Sequence, residues 1–522
     1  MHLKKRDLLQ MDDEWLRKLP PEVLFEVSKR LLSDVKELQD RLNQNPDNSS
    51  RPPTSQAPWQ RSSSESKQAV SAECEVIDAE DASKEAQKEE KKETTEKKPN
   101  PSSSGKSPGR QKGSPGHGRT QKLAVTATRE HRPECCTACG RALMANARSQ
   151  AYSAWDEVDI AAQIEGVIGL TFSVTRHLLH DVSCSCGHIT RAEPWRAPPD
   201  MQYQTVEVGE WRLVGPRLAG VIVLLALRMR LSRARIRELL MELFDLTLST
   251  GVIDETIREA GQACMPLEDA LVAEIVQAAQ LNVDETSWPE AGVQLWLWAM
   301  VTTHAVLFLI GPRSREMLEN VLTDSFRGIL VSDGYAVYRT WKNRLRCWAH
   351  LMRKLRGLAE SSDYRVAGVG KEMEGLMKTL MFAIYAARIS PPEKMLTVLH
   401  AEDIAQLRKL CETHRDDENA VLRSVAREFL YDWEVILRPV SEPHLPLTNN
   451  EAEQALRHWV ISRYISHGTR SEQGSRAFAL LASLIETCRR RRASPWQYLG
   501  AAIAAARKGL LLPSLPIVPN LA

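Results

Sequence analysis

After Gln280 the apolar residues stop following a helical turn and begin to alternate or run on continuously, a spacing that only a sheet can bury. LNVDET reads as a short apolar strand ending in Asp284. QLWLWAMV and AVLFLI read as two more, joined by a turn at Thr302-Thr303-His304. SREMLENVLTDSF has helical spacing, GILVSDGY is a buried strand ending at Asp333, and RLRCWAH is another strand before a basic helix. The elements therefore run strand, strand, strand, helix, strand, helix, strand.

That order is the layout of an RNase H-like α/β domain. It puts Asp284 and Asp333 at the carboxyl ends of neighbouring strands, where a sheet presents side chains to an open rim. Two carboxylates there suit Mg²⁺, a hard ion that prefers oxygen ligands, and a third acid is needed to complete a two-metal site for phosphoryl displacement. LPLTNNEAEQALRHWVISRY supplies candidates. Asn450 would start a helix with Glu453 and Arg457 four residues apart on one face, whereas Glu451 points elsewhere, so only one glutamate can be the ligand. Asp254-Glu255-Thr256 repeats the triplet of Asp284-Glu285-Thr286, but inside a helical pattern with no strand before it. KEMEGLMKTLMFAIYAARI, EDIAQLRKLCETH and AVLRSVAREFLYDWEVIL are amphipathic and read as an all-helical insertion in the α/β domain.

Upstream the chain is built differently. The 522 residues carry 69 Lys+Arg against 67 Asp+Glu, a net charge of +2, and 43% are apolar. That length suits about three domains at roughly 100–200 residues each, and the near-neutral balance excludes a histone-like polybasic binder. The longest apolar run, Leu218 to Leu227, is about half of what a bilayer-spanning helix needs, so no membrane segment is expected. MHLKKRDLLQMDDEW has no apolar signal core, which makes a cytosolic protein the expectation. Leu24, Leu31, Val35, Leu38 and Leu42 hold a/d spacing for under three heptads, so a surface helix and a short dimerising coil both stay open. From Asn43 to about Leu123 the composition is Ser, Pro, Gly, Lys and Glu, that of a disordered linker whose last third is basic.

Ten cysteines are too few for a disulfide scaffold, and five cluster between 135 and 186. Cys136 and Cys139 form one short-spaced pair and Cys184 and Cys186 a second; together they offer Zn²⁺ four soft ligands from two turns. Cys135 is an alternative ligand. Arg212, Arg217, Arg228, Arg230, Arg233, Arg235 and Arg237 follow without an intervening acid. RARIRELLMELF, a break at Asp245, then STGVIDETIREA with Ser249 as N-cap has the rhythm of a helix-turn-helix, for which duplex DNA is a natural partner.

These segments, in this order, resemble one family: the insertion-sequence-66 group of DDE-type transposases. The resemblance covers nearly the whole chain. It is carried by VDETSWPEAGVQLWLWAMV, GILVSDGYAVY, RCWAHLMRKLRGL, LTNNEAEQALR and SLIETCRRRRASPWQYL. It implies that Asp284, Asp333 and Glu453 form a triad holding Mg²⁺ or Mn²⁺. Cys347 and His350 would match a C-x-x-H pair, with His350 touching substrate phosphate or steadying the site, and Arg457 and Arg463 would hold the DNA backbone. It further implies cleavage and strand transfer at element ends, a homodimer or larger assembly, small companion proteins of the same element, and work on the bacterial nucleoid. Three positions depart from the family pattern: Gln454 follows the glutamate where Arg is common, Thr448 stands where Asp is common, and the second cysteine pair is tighter than usual. The rival expectation is a non-catalytic DNA-binding repressor derived from a transposase.

The implied layout is an N-terminal helix or coiled coil over 1–45, a disordered basic linker over 46–127 and a zinc ribbon over 128–195. A helical DNA-binding segment over 196–275 follows. The catalytic domain occupies 276–350 and 446–512 around a helical insertion at 351–445, with a tail at 513–522.

Overall fold

The computed structural model describes residues 19–44, 48, 121–161, 168–198, 206–323 and 325–518. The linker expected over 46–127 lies outside the described residues except at Asn48 and from Gln121 onward. Helix α1 (Pro21–Leu42) starts on a proline, which suits a first turn whose N–H groups have no helical acceptor. None of its residues is buried, and Leu24, Val35, Leu38 and Leu42 face solvent. Its carboxyl end is tied down: Asp40 accepts hydrogen bonds from the Ser361 hydroxyl at 2.6 Å and the Ser362 N–H at 2.7 Å.

Strands β1 (Ala127–His131), β2 (Ser149–Ile160), β3 (Phe172–Ser183) and β4 (Ile189–Arg191) form a four-stranded sheet around β3. Helices α2 (Pro216–Leu227), α3 (Arg233–Phe244), α4 (Thr250–Ala263) and α5 (Leu267–Val276) follow. The apolar run from Leu218 is α2, a core helix with Leu218, Ile222 and Val223 fully enclosed. Asp159 of β2 caps it by accepting from the Leu218 N–H at 2.8 Å. Gly215 gives that carboxylate room, since a Cβ there would lie 2.3 Å from the Asp159 side chain. Ser232 and Ser249 cap α3 and α4, and Asp245 ends α3 in the left-handed region, so the two helices turn where the sequence breaks.

Strands β5 (Gln280–Glu290), β6 (Val293–Val301), β7 (Val306–Gly311), β8 (Ile329–Ser332) and β9 (Arg344–Arg346) make a second sheet in the order β7-β6-β5-β8-β9. The first three are antiparallel neighbours, while β8 and β9 run parallel to β5. Three details differ from the expectation. Strand β5 does not end at Asp284; it continues to Glu290 because Ala291 and Gly292, both at positive φ, close a tight hairpin that pairs β6 along its length. The helix after β7 is short, α6 (Arg315–Glu319). Between β8 and β9 the chain makes only a 3₁₀ turn over Ala336–Thr340, not a helix.

Helices α7 (Trp348–Ala359), α8 (Tyr364–Ile389), α9 (Leu396–Leu399), α10 (Ala401–Thr413), α11 (Ala420–Tyr431) and α12 (Trp433–Ser441) have a core of their own, which includes Leu351, Leu355, Met373, Met377, Leu422 and Phe429. Helices α13 (Asn450–Ser466) and α14 (Glu472–Arg490) then return to the second sheet, while α15 (Pro495–Ala506) packs mainly on α2. Trp459 of α13 meets Phe308 and Phe478 edge to face. Ser483 and Thr487 of α14 accept from the Phe308 and Val306 N–H groups at 2.8 and 3.0 Å, so the outer edge of β7 is satisfied by hydroxyls.

The insertion is fastened to the sheet by charge. Arg344 and Arg346 of β9 both donate to Asp432, and Arg346 also reaches Glu428. Burial pushes the Glu428 carboxyl up, but Lys354 and Arg346 outweigh it and hold the group below its ordinary range. Removing one partner of such a buried set leaves an uncompensated charge. Asp432→Ala is therefore expected to cost about 3–5 kcal/mol, read as an earlier urea midpoint of the helical signal. An unchanged midpoint would show that the network holds nothing.

Candidate active site

Strand β5 and strand β8 pair from Gln280–Ile329 to Asn282–Val331, and the same register carried two residues further sets Asp284 opposite Asp333. Pairing between the two strands stops two residues earlier, at Asn282 and Val331, so both carboxylates sit where the two strands part. Each has one oxygen occupied by nearby backbone: Asp284 accepts from the Glu285 N–H at 3.0 Å and Asp333 from the Tyr335 N–H at 2.8 Å. Among the described residues neither forms an ion pair with a basic side chain. Asp284 is partly accessible but closely surrounded. Burial, then the charges of Glu285, Asp333 and Glu453, push its carboxyl well above the usual range.

The third acid reaches this rim from the far end of the chain. Asn449 is fully enclosed, and its Nδ2 donates to the Val283 carbonyl at 2.8 Å while its backbone N–H donates to Cys347 Sγ at 3.3 Å. The Trp348 N–H donates to Leu447 O at 2.7 Å. These bonds dock the start of α13 beside Asp284, with Asn449, not Thr448, at the N-cap position. Of the two glutamates, Glu453 acts electrostatically on Asp284. Glu451 turns away and pairs with Arg490 at 2.9 Å.

Among the described residues Glu453 Oε1 is buried without a hydrogen bond, and so is His350 Nδ1, 3.7 Å away. Cys347, His350 and Glu453 offer ligand atoms that all lie within 4.8 Å of one another. No such tight group among the described residues includes Asp284 or Asp333. Burial lowers the His350 pKa despite the neighbouring Glu453, which favours the neutral ring. Arg353 Nη2 stands 3.7 Å from Glu453, too far for a hydrogen bond.

The remaining basic residues divide into used and free. Arg457 is exposed one turn beyond Glu453. Arg463 Nη1 is held by Thr286 Oγ1 at 3.0 Å and by Ser287, so it braces β5. In the helical segment Arg228 donates to Glu486 at 3.0 Å, Arg230 to His458 at 2.6 Å, and Arg233 to Asp254 at 3.2 Å. Arg235 and Arg237 stay exposed. The run of arginines expected to face DNA is thus largely engaged within the protein, by partners too distant in sequence to foresee.

Glu285 was not singled out by the sequence. It points to the face opposite Asp284, where Arg313 donates to it at 2.6 Å and Tyr338 also donates. Burial and then Asp333 raise its carboxyl pKa, against these donors. Arg313 lies over the Trp296 and Tyr335 rings at 4.4 and 4.0 Å.

Two donor sets fit metal ions. The rim presents the hard oxygen donors of Asp284 and Asp333, the donor type that suits Mg²⁺ or Mn²⁺. In the first sheet the sulfurs of Cys136, Cys139, Cys184 and Cys186 lie within 4.8 Å of one another, as a tetrahedral Zn²⁺ site requires. The Cys139 N–H donates toward the Cys136 sulfur and draws that thiol down to about 6, favouring the thiolate. Cys135 is exposed and outside this group.

Among the described residues no helix is long and apolar enough to cross a membrane. A family model described as "Transposase IS66 family" matches residues 212–477, just over half of the chain. Two relatives from Sinorhizobium fredii (strain NBRC 101917 / NGR234) are similar. "Uncharacterized protein y4jO" is 27% identical over 172 residues, 33% of this chain and 51% of its own length. "Uncharacterized protein y4qI" is 22% identical over 299 residues, 50% of this chain and 54% of its own. The chain thus spans about half the length of either relative.

Two outcomes are expected. A carboxyl whose pKa is raised by folding favours the folded state at low pH, and that contribution is lost as pH climbs through the raised value. Asp284→Asn should therefore raise the melting temperature of metal-free protein at pH 7.5, by roughly 2–4 °C for each kcal/mol relieved. A lower melting temperature would show that the Asp284 charge is already balanced. Cys184→Ser should remove one equivalent of zinc by elemental analysis; unchanged content would reject the four-sulfur site.

Proposed function

The chain belongs to the IS66 transposase family, and on that premise we propose that it cuts DNA at the ends of a mobile element and joins them to a target. Asp284, Asp333 and Glu453 are the groups that hold the divalent ions. The observation that carries this reading is the β5–β8 register, which, carried on, sets Asp284 opposite Asp333, with the charges of Asp333 and Glu453 felt at Asp284. The strand order, three antiparallel strands followed by two parallel ones, supports an RNase H-like catalytic domain interrupted by the helical insertion.

When bound, Mg²⁺ or Mn²⁺ supplies activation of the attacking oxygen and charge neutralisation at the phosphate. The protein's own groups organise the rest. Asn449 fixes the Glu453 helix against β5, and Arg463 braces the same strand from the other end of that helix. Arg457, exposed beyond Glu453, suits a phosphate of the DNA backbone as a planar, permanently charged donor. Neutral His350 can donate from Nε2 to a phosphate oxygen while Nδ1 faces Glu453. Water attacks first and the freed 3′-hydroxyl second, so no covalent link to the protein forms. The cysteine-rich sheet, with Arg235 and Arg237, contacts the element ends. Joining two ends at once favours a dimer or larger assembly with α1 as one contact, and companion proteins of the same element take part. The substrate places the work on nucleoid DNA in a bacterial cytoplasm.

The test is strand joining with a pre-cleaved end duplex. Asp333→Asn should reduce Mg²⁺-dependent joining by at least about a hundredfold and leave binding of the end duplex intact. Binding without joining in the unaltered protein would instead favour a repressor, and cutting without joining a nuclease.

A further inference from the structure

Next to the acidic rim lies a second donor set with different chemistry. Cys347 Sγ, His350 Nδ1 and a Glu453 oxygen all fall within 4.8 Å of one another. Cys347 is fully enclosed, and Glu453 Oε1 and His350 Nδ1 are buried with no hydrogen-bond partner among the described residues. Leaving a buried polar atom unpaired is unfavourable, so two facing each other require an explanation. They do not bond to each other, because 3.7 Å exceeds a hydrogen bond. It is instead close to the spacing of a nitrogen and an oxygen ligand on one zinc ion, about 3.3–3.5 Å for bonds of about 2.0–2.2 Å in a tetrahedron.

We propose that Cys347, His350 and Glu453 form a binding site for a borderline-soft divalent cation, Zn²⁺ being the natural occupant, distinct from both the four-sulfur site and the hard-ion site. The sulfur and the imidazole nitrogen disfavour Mg²⁺, which demands oxygen ligands. Binding releases the Cys347 thiol proton to solvent and leaves a thiolate, a neutral imidazole and a carboxylate around the dication. That set is neutral overall, so it can be enclosed without a stranded charge. Three protein ligands leave a fourth position for water.

Glu453 then belongs to two sites. Zinc at Cys347 and His350 withdraws it from Asp284 and Asp333, so zinc antagonises the hard ion; this consequence, unlike the site itself, rests on the function proposed above. Zinc binds N and S donors far better than magnesium does, so low zinc would silence joining at ample magnesium.

The test uses the full chain with its four-sulfur zinc retained and Co²⁺ as the probe. One equivalent of Co²⁺ should give a thiolate-to-cobalt charge-transfer band with the intensity of one sulfur ligand, not four, and Zn²⁺ should abolish it. Cys347→Ala and His350→Gln, which remove different ligands, should each lose the band, whereas Asp284→Asn should keep it. Absence of the band from the unaltered protein, a four-sulfur intensity, or a band surviving Cys347→Ala would overturn the site. A separate arm compares joining with and without zinc at fixed magnesium: the unaltered protein should lose at least about tenfold. Joining indifferent to zinc alongside a normal cobalt band would overturn the antagonism alone. Absence of joining in any condition would count against the proposed function and leave the cobalt result standing.

Discussion

Asn449 joins three stretches of chain that lie far apart in sequence. Its side chain donates to Val283, the residue before Asp284, and its backbone donates to Cys347, just beyond β9. With the Leu447 to Trp348 hydrogen bond, this closes the neck through which the helical insertion leaves and re-enters the sheet. Asn449 fixes the start of α13 to β5 beside Asp284, while Arg463 and Trp459 hold the rest of the helix to the sheet. An amide serves here because it donates while adding no charge to a crowded acidic rim.

The molecule treats its buried acids in two opposite ways. Asp432 and Glu428 sit among Arg344, Arg346 and Lys354, where each negative charge meets a donor, and their task is to hold the insertion. Asp284 instead feels the charges of Glu285, Asp333 and Glu453, and Arg353 stands beyond hydrogen-bond reach of Glu453. Structural acids gain from pairing, whereas a cation-binding rim has to keep its charge unsatisfied until the ion arrives. Glu285 stands between the two cases, one residue from Asp284 but facing the other side of the strand, where Arg313 and Tyr338 hold it.

Much of this was legible in residue patterns. The apolar strands, the Asn450 helix, the Ser249 cap and the two short-spaced cysteine pairs all follow from local spacing, which is where sequence carries its strongest signal. What could not be read depends on long-range partners or on backbone strain. Strand β5 runs past Asp284 because Ala291 accepts positive φ, a conformation the Ala-Gly pair does not announce. The arginines after Trp211 look free for DNA until Glu486, His458 and Asp254 fold against them. The preference for Glu453 over Glu451 needed the family pattern in sequence, and the pairing of Glu451 with Arg490 was likewise not foreseeable from local spacing.

The rim of β5 and β8 with α13 is proposed as the divalent-cation site. The most direct measurement is anomalous scattering from crystals of the chain bound to a pre-cleaved DNA end and soaked in Mn²⁺. Manganese contacting Asp284 and Asp333 at about 2.0–2.3 Å, with Glu453 in the same cluster, is the expected result. Manganese absent from both aspartates in a complex whose DNA end reaches the rim would contradict it.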